Sequence, residues 1–506
     1  MKTTSLDKQT LLAIATSEGK QIDPIEFNGR LVIIGCGSVS QCLQPLLLKN
    51  LKMDFSKLTI IDMEDKRDNA KEILEAGATY VQIEITKENL GSVLGELVGE
   101  GDMIIDLAWN ISTIDIIDWC QDNGVLFINT SIEVWEPYMP NNGLSAADDT
   151  IYARHVAFQE FKRRRTGGDT TAIIEHGANP GLVNHWVKRG LEEVSLRILE
   201  TVPMLVERRQ ALEAAVEARD FAKMAMLTGT KVIHISERDT QKSGLPINYK
   251  EEFVNTWSVE SFHQESVSVA ELAWGTHERE LPEDAIVHSH GPQNKIYLER
   301  MGMQTLANSW VPSGDIVGQI TAHGEVFSIS DHLTVKDGDK VEYRPSVYFV
   351  YKPADQALNC LAMQESLNYE LPENTRVMND EIVSGMDEVG VLLLGHDLNG
   401  WWVGSRLDIH ETRSHVTGQN ATTLQVAASA MSAMAYAIRH PQSGICTADD
   451  LDYKEILAVA EPFLGPCPSV QTDWKPECIR GQERADWLLQ DFLVDDEDAF
   501  FASQAV

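Results

Sequence analysis

Cysteine pairs at redox or metal spacing are missing from this sequence. Its seven cysteines (Cys36, Cys42, Cys120, Cys360, Cys446, Cys467 and Cys478) form no C-x-x-C motif, and their number is odd. That excludes a disulfide scaffold and makes a reducing cytoplasm the expected setting. Long apolar runs are absent too. None reaches the length of a membrane-spanning helix, and the run at 11–15 is too brief for a signal-peptide core. Positive charge is scarce: Lys and Arg total 42 against 77 Asp and Glu, a formal net charge of −35. Such an excess repels phosphate backbones and anionic headgroups, so neither nucleic acid nor membrane is an expected partner, while cations are attracted. Repeats and low-complexity linkers are lacking, and the tail Asp495-Asp496-Glu497-Asp498 reads as a solvated charge run.

What is present is an ordinary globular composition, 43 % hydrophobic and 24 % charged over 506 residues, enough for roughly two to four domains. Short apolar runs at 31–34, 58–61, 80–85, 103–106 and 125–128 alternate with helical stretches such as 38–50 and 115–122. A sixth run at 171–174 leads through Gly177-Ala178-Asn179-Pro180-Gly181 into a helix at 182–193. This alternation predicts a parallel sheet covered on both faces. From about residue 195 the pattern changes. Strands are expected at 231–235, 252–259, 295–298, 319–329, 340–343 and 347–351, with fewer helices between them. The expected fold class is therefore α/β, in three parts. An N-terminal Rossmann-like doubly wound parallel sheet occupies 1–175 and a mixed α+β catalytic domain 176–400. A C-terminal helical segment at 401–506, containing an Ala- and Met-rich helix at 421–438, packs back on the first part.

The string Gly35-Cys36-Gly37-Ser38-Val39-Ser40 follows the first strand and opens a helix. Gly35 permits a tight turn, Gly37 lets backbone approach a pyrophosphate, and the N–H groups at Ser38 and Val39 present a positive helix end. Ser40 replaces the usual third glycine. Asp62 closes the second strand, where a carboxylate binds both ribose hydroxyls and repels a 2′-phosphate, so NAD is expected in preference to NADP. After the fourth and fifth strands come Asp106-Leu-Ala-Trp109-Asn110 and Asn129-Thr-Ser131-Ile-Glu133, at the strand ends where open α/β sheets bind ligands. Asn110 alone is equally consistent with a helix cap.

Three further strings stand out: Ile233-His234-Ile235-Ser236-Glu237-Arg238-Asp239-Thr240-Gln241, Asn255-Thr256-Trp257-Ser258, and Thr321-Ala322-His323-Gly324-Glu325. With the Gly177–Gly181 string and Trp274-Gly275-Thr276, the chain resembles the bacterial homospermidine synthases, within the broader saccharopine-dehydrogenase-like group. The resemblance runs from about Gly29 to about Trp474 and includes 391–395, 402–405 and 419–422. It implies a redox-neutral transferase and a homodimer. In such enzymes tightly held NAD oxidises a putrescine amine carbon to an imine, a second putrescine displaces ammonia, and the hydride returns to give homospermidine. It also implies roles for single residues: Trp257 as a cation–π platform, Glu237 and Glu265 as amine-binding carboxylates, and Asn179, His323 and Glu325 as pocket positions. Glu133 falls beside the nicotinamide end, and Asn110 stands where an aspartate is the family pattern.

The chemistry asks for these residue types independently. Putrescine and related diamines are dications at neutral pH, since primary amines titrate at about 10.4. Carboxylates at spaced positions and an aromatic face worth roughly 0.5–2 kcal/mol suit such a substrate. A proton must also be taken from the reacting nitrogen, by Glu237 or His323. Read singly, Trp257 is core, Glu237-Arg238-Asp239 a solvated salt-bridge face, and His323 a hydrogen-bonded core histidine. His288-Ser289-His290 has no third ligand at suitable spacing, so no metal is expected, and Trp401-Trp402 reads as packing. Two other functions remain open. One is a dehydrogenase of the saccharopine or carboxynorspermidine type, which would want arginines where these strings hold only Arg238. The other is a non-catalytic NAD- or polyamine-sensing module.

Overall fold

Alternation within each short apolar run decides the first sheet. Leu31, Ile33, Leu58, Ile60, Met103, Ile105 and Ile128 join one buried cluster, while Val32, Ile34, Ile61, Ile104 and Phe127 join another on the opposite face. Both faces are thus covered, as a parallel sheet requires. The computed structural model describes residues 22–135, 150–289, 291, 293–482 and 485–494. The apolar run at 11–15, the acidic run at 495–498 and His290 lie outside the described residues.

The strands are β1 (Leu31–Ile34), β2 (Leu58–Asp62), β3 (Thr79–Gln82), β4 (Met103–Asp106), β5 (Leu126–Asn129) and β6 (Ala172–Ile174). They run parallel in the spatial order β3-β2-β1-β4-β5-β6, and Ile445–Thr447 adds a seventh strand beyond β6. The order reverses between β1 and β4, which opens a crevice at their carboxyl ends. Helix α1 (Ser38–Asn50) leaves β1 and buries Leu43, Leu46 and Leu47 completely, each contributing about 1.5–3 kcal/mol. The Ala- and Met-rich segment forms a helix, Ala421–Arg439, whose small buried residues let it pack closely on α1.

The second sheet has eleven strands, centred on β7 (Val232–Asp239), β8 (Ser346–Lys352) and β9 (Met386–His396). Only β7 and β8 pair in parallel; the other pairings are antiparallel. Register sets Glu237 opposite Tyr351 and Val389, and Asp239 opposite Asp387. Glu237 and Asp239, two apart on one strand, therefore share a face with Asp387.

Two predicted strands end early. The 319–329 run divides into a strand, Gly314–Thr321, and a helix, α5 (Gly324–His332). The β-favouring Val326, Phe327 and Ile329 are all buried within that helix, so tertiary packing overrides their local preference. The 252–259 run stops at Asn255, because Ser258 caps α4 (Val259–Val267), its Oγ accepting from the Ser261 N–H at 3.3 Å. Helices Val206–Ala218 and Phe221–Thr228 also interrupt the strand-rich region.

Candidate active site

One cavity of about 1230 Å3 joins the two sheets. At one end it is lined by Gly35, Gly37, Ser38, Val39 and Asp62. Gly35 has φ +91°, and a Cβ there would stand 2.9 Å from the Leu107 carbonyl. At Gly37 a Cβ would meet nothing within 4 Å, so its backbone faces open space. Helix α1 begins beside it with no side-chain cap, leaving its first N–H groups to a ligand. Asp62, 8 % exposed, accepts from the Cys36 N–H at 2.7 Å and the Glu64 N–H at 2.9 Å, with the Lys66 ammonium 3.5 Å away. An uncapped helix end, an open glycine and a fixed carboxylate on the next strand fit a dinucleotide.

At the other end the cavity meets Asn110, Glu133, Asn179, Trp257, Glu265 and His323. Asn110 is not the cap of the helix that follows. Ser112 is, its Oγ accepting from the Asp115 N–H at 3.3 Å. Asn179 projects from the turn between β6 and Leu182–Thr201 and donates Nδ2–H to Glu237 Oε2 at 3.1 Å. Glu237 and Glu325 do not line the cavity themselves; each touches a side chain that does. Glu237 is 3 % exposed. Burial, then Asp239, push its carboxyl up to about 8 against the opposing pull of His323 and Asn179. Behind it, Asp239 accepts from the Thr256 hydroxyl at 2.6 Å and the Gln241 N–H at 2.8 Å, and Asp387 accepts from the Thr422 hydroxyl at 2.6 Å. Burial raises both, Asp239 to about 6. The salt-bridge face expected from Glu237-Arg238-Asp239 is corrected here: the two acids are buried, and Arg238 donates to Ser313 Oγ at 3.0 Å.

His323 lies between two carboxylates, with Nε2 3.2 Å from Glu265 and Nδ1 3.1 Å from Glu325. Burial works against its charge, but Glu325 and Glu265 outweigh it and hold the imidazole well above its ordinary range. Two flanking carboxylates favour the ring charged and donating from both nitrogens, a state that organises the acids and is not suited to act as a base. Trp257 follows the strand Glu252–Asn255. Its Nε1–H donates to the Tyr351 hydroxyl at 3.2 Å, and Phe262 packs edge-on at 5.7 Å, so the indole is held in place beside the cavity. Glu133 accepts from the Ser131 hydroxyl at 2.7 Å and is raised by burial, with Arg154 opposing.

Several cavity residues escaped the sequence reading. Glu175 and Arg154 line the wall, and Arg376 does so while paired with Glu252 and Glu381. The acids Glu64, Glu84, Glu260 and Glu271 outnumber these cations along the wall. Asp239 could have been found from its two-residue spacing to Glu237, and Glu175 from its place after β6; Asp387 and Arg154 carry no local signal. Among the described residues, no group of three or more His, Cys, Asp or Glu is placed to hold a metal ion. His288 Nε2 pairs with Glu271 at 2.9 Å, and Trp402 is fully buried. No helix among the described residues is long and apolar enough to cross a membrane.

A doubly wound dinucleotide sheet whose cavity continues into an acid-lined mixed sheet defines an enzyme of the saccharopine dehydrogenase class. Residues 31–173 match the saccharopine dehydrogenase NADP binding domain, and residues 177–468 match the saccharopine dehydrogenase C-terminal domain. The homospermidine synthase of Mesorhizobium japonicum is 36 % identical over 459 residues, covering 89 % of this chain and 92 % of that one. That of Blastochloris viridis is 37 % identical over 458 residues, with the same coverage of 89 % and 92 %. The crystal structure of the Legionella pneumophila homospermidine synthase, in complex with NAD, matches with a TM-score of 0.82 at 34 % identity, covering 93 % of this chain and 99 % of that one. The chain belongs to the homospermidine synthase family.

Proposed function

We propose that the chain condenses two putrescine molecules into homospermidine with loss of ammonia, using NAD held at the loop between β1 and α1. The observation that carries this reading is a single cavity running from the Gly35–Gly37 loop to Trp257 and Asn179, whose Nδ2–H reaches Glu237 just behind the wall. Asp62 supports NAD, since its carboxylate would repel a 2′-phosphate. When bound, NAD supplies a two-electron acceptor that takes a hydride from an amine-bearing carbon and later returns it.

The residues supply binding and proton transfer. Diamine ammonium groups meet a wall rich in carboxylates, and the Trp257 ring adds cation–π attraction to an ammonium or iminium of roughly 0.5–2 kcal/mol. The reacting nitrogen must first become neutral. A carboxyl with an ordinary value of about 4.3 is a poor base for an amine at about 10.4; Glu237, raised to about 8, narrows that gap. Asn179 Nδ2–H holds the accepting carboxyl in place. Glu265, held by His323 with Glu325 behind it, takes a second ammonium, and Glu133 and Asn110 border the nicotinamide end. Val267, Ile132 and Pro180 give the wall an apolar part, the kind of surface that disfavours the water that would hydrolyse an imine.

The test is incubation with putrescine and a catalytic amount of NAD, following product and the near-ultraviolet band of NADH. Homospermidine with no net NADH is expected. Steady NADH accumulation would instead favour a saccharopine-type dehydrogenase, for which Arg154 in the wall is the supporting observation. No turnover would leave a sensing module.

A further inference from the structure

Glu175 has no part in the chemistry above, yet its placement is costly. Its backbone has φ +57°, a left-handed conformation uncommon for a residue with a side chain. Asn129, at the end of β5, holds it there: Asn129 Oδ1 accepts from the Glu175 N–H at 3.0 Å and the Asn129 carbonyl from the His176 N–H at 2.9 Å. The side chain is 5 % exposed and lines the cavity, and its carboxyl makes no hydrogen bond to any described residue. Room for it is made by Gly324, the first residue of α5, where a Cβ would overlap Glu175 Oε1. The carboxyl thus sits at the amino end of that helix, beside Glu325 and His323, with Glu133 and Asp449 the other charged neighbours. Neither carboxyl oxygen is sealed off from the cavity, so the acid is presented to whatever binds there, and strained backbone of this kind concentrates at sites of chemistry.

We propose that Glu175 is a catalytic acid–base residue of the amine exchange, passing a proton from the incoming putrescine nitrogen to the departing one. This rests on the reading that two putrescines are condensed. Attack of the neutral second amine on the iminium carbon forms the new C–N bond and leaves the incoming nitrogen with one proton too many. The Glu175 carboxylate takes that proton and, as the acid, gives it to the other nitrogen. The old C–N bond then breaks with its electron pair leaving on ammonia, while the lone pair of the incoming nitrogen forms the new iminium. No electrons are gained or lost overall, and the carboxylate is restored. Burial, and then Glu325, push the carboxyl up to about 8 against the pull of His323, close enough to amine values for transfer both ways.

Glu175→Gln in the full chain with NAD bound separates this step from the oxidation before it. The variant should form NADH in a single turnover with putrescine within about twofold of the parent. Its release of ammonia and homospermidine should fall by about 100-fold. Product release within threefold of the parent, or equal slowing of both readouts, would overturn the assignment. Should Glu175→Gln fail to fold, Glu175→Asp carries the same split in weaker form, product slowing more than NADH formation; equal slowing there overturns it as well. If the parent makes no homospermidine from putrescine, the underlying reading fails. If it does and Glu175→Gln matches it, only the role of Glu175 falls.

Discussion

The two ends of the cavity are assembled in different ways. At the dinucleotide end, Gly35, Gly37, Ser38 and Asp62 come from two adjoining strands and the single turn between β1 and α1. At the amine end, Glu133, Asn179, Glu237, Trp257, Glu265 and His323 come from separate loops, a central strand and a helix of the second half. A pyrophosphate needs several consecutive N–H groups, which only a contiguous turn provides. A flexible diammonium needs carboxylates that converge in space, and sheet register can bring these from anywhere in the chain. The dinucleotide end is therefore local and its parts act together, whereas the amine end is a set of separable charges.

Substitutions should divide along the same line. The largest effect is expected at Glu237→Gln, which keeps shape and removes the proposed base. Turnover should fall by about 10²–10⁴-fold while NADH affinity, read by fluorescence titration, stays within about twofold. Loss of cofactor binding together with turnover would erase the distinction between the two ends. Trp257→Ala should lower kcat/KM for putrescine by about 30-fold, the equivalent of roughly 2 kcal/mol, and Trp257→Phe by only a few-fold because a ring face remains. Equal losses would remove the cation–π role. Asp62→Ser should weaken NAD by about tenfold and improve NADP, since the carboxylate facing a 2′-phosphate is gone while Lys66, still paired with Glu64 at 3.1 Å, stays beside it. Burst formation of NADH at saturating cofactor should survive that change.

The smallest effect concerns pH and the free protein. Glu237 and Glu175 are raised to about 8 in the fold, from an ordinary value of about 4.3 in the unfolded chain. Between those values the folded state binds more protons, so stability falls as pH rises through that window. Glu237→Gln should flatten the decline of the thermal midpoint, by about 2–4 °C at the upper end. A midpoint that rises with pH in both proteins would contradict the burial of these acids.

What the sequence disclosed follows the same division. The glycine turn, its strand and helix, and Asp62 were legible because each is a local pattern. Tertiary context hid the rest. The 319–329 run has strand composition, yet its part from Gly324 onward becomes α5 because the fold buries it on all sides. Arg238 and Asp239 read as surface until register turned Asp239 inward beside Asp387. The carboxylates that favour charge on His323 are Glu325, two residues on and visible in the local string, and Glu265, 58 residues away and brought there only by the fold. The edge strand Ile445–Thr447 carries too few residues to announce itself, and only pairing with β6 creates it.

The central claim is that a diamine lies between the indole and the buried acids within reach of the dinucleotide. A crystal structure of the full chain with NAD and putrescine tests it most directly. The account predicts a putrescine nitrogen within about 6 Å of the Trp257 ring centroid, with Asn179 and Glu237 beside the carbon that faces the nicotinamide. Putrescine bound away from Trp257 and Glu237, with the nicotinamide ring pointing elsewhere, would contradict it.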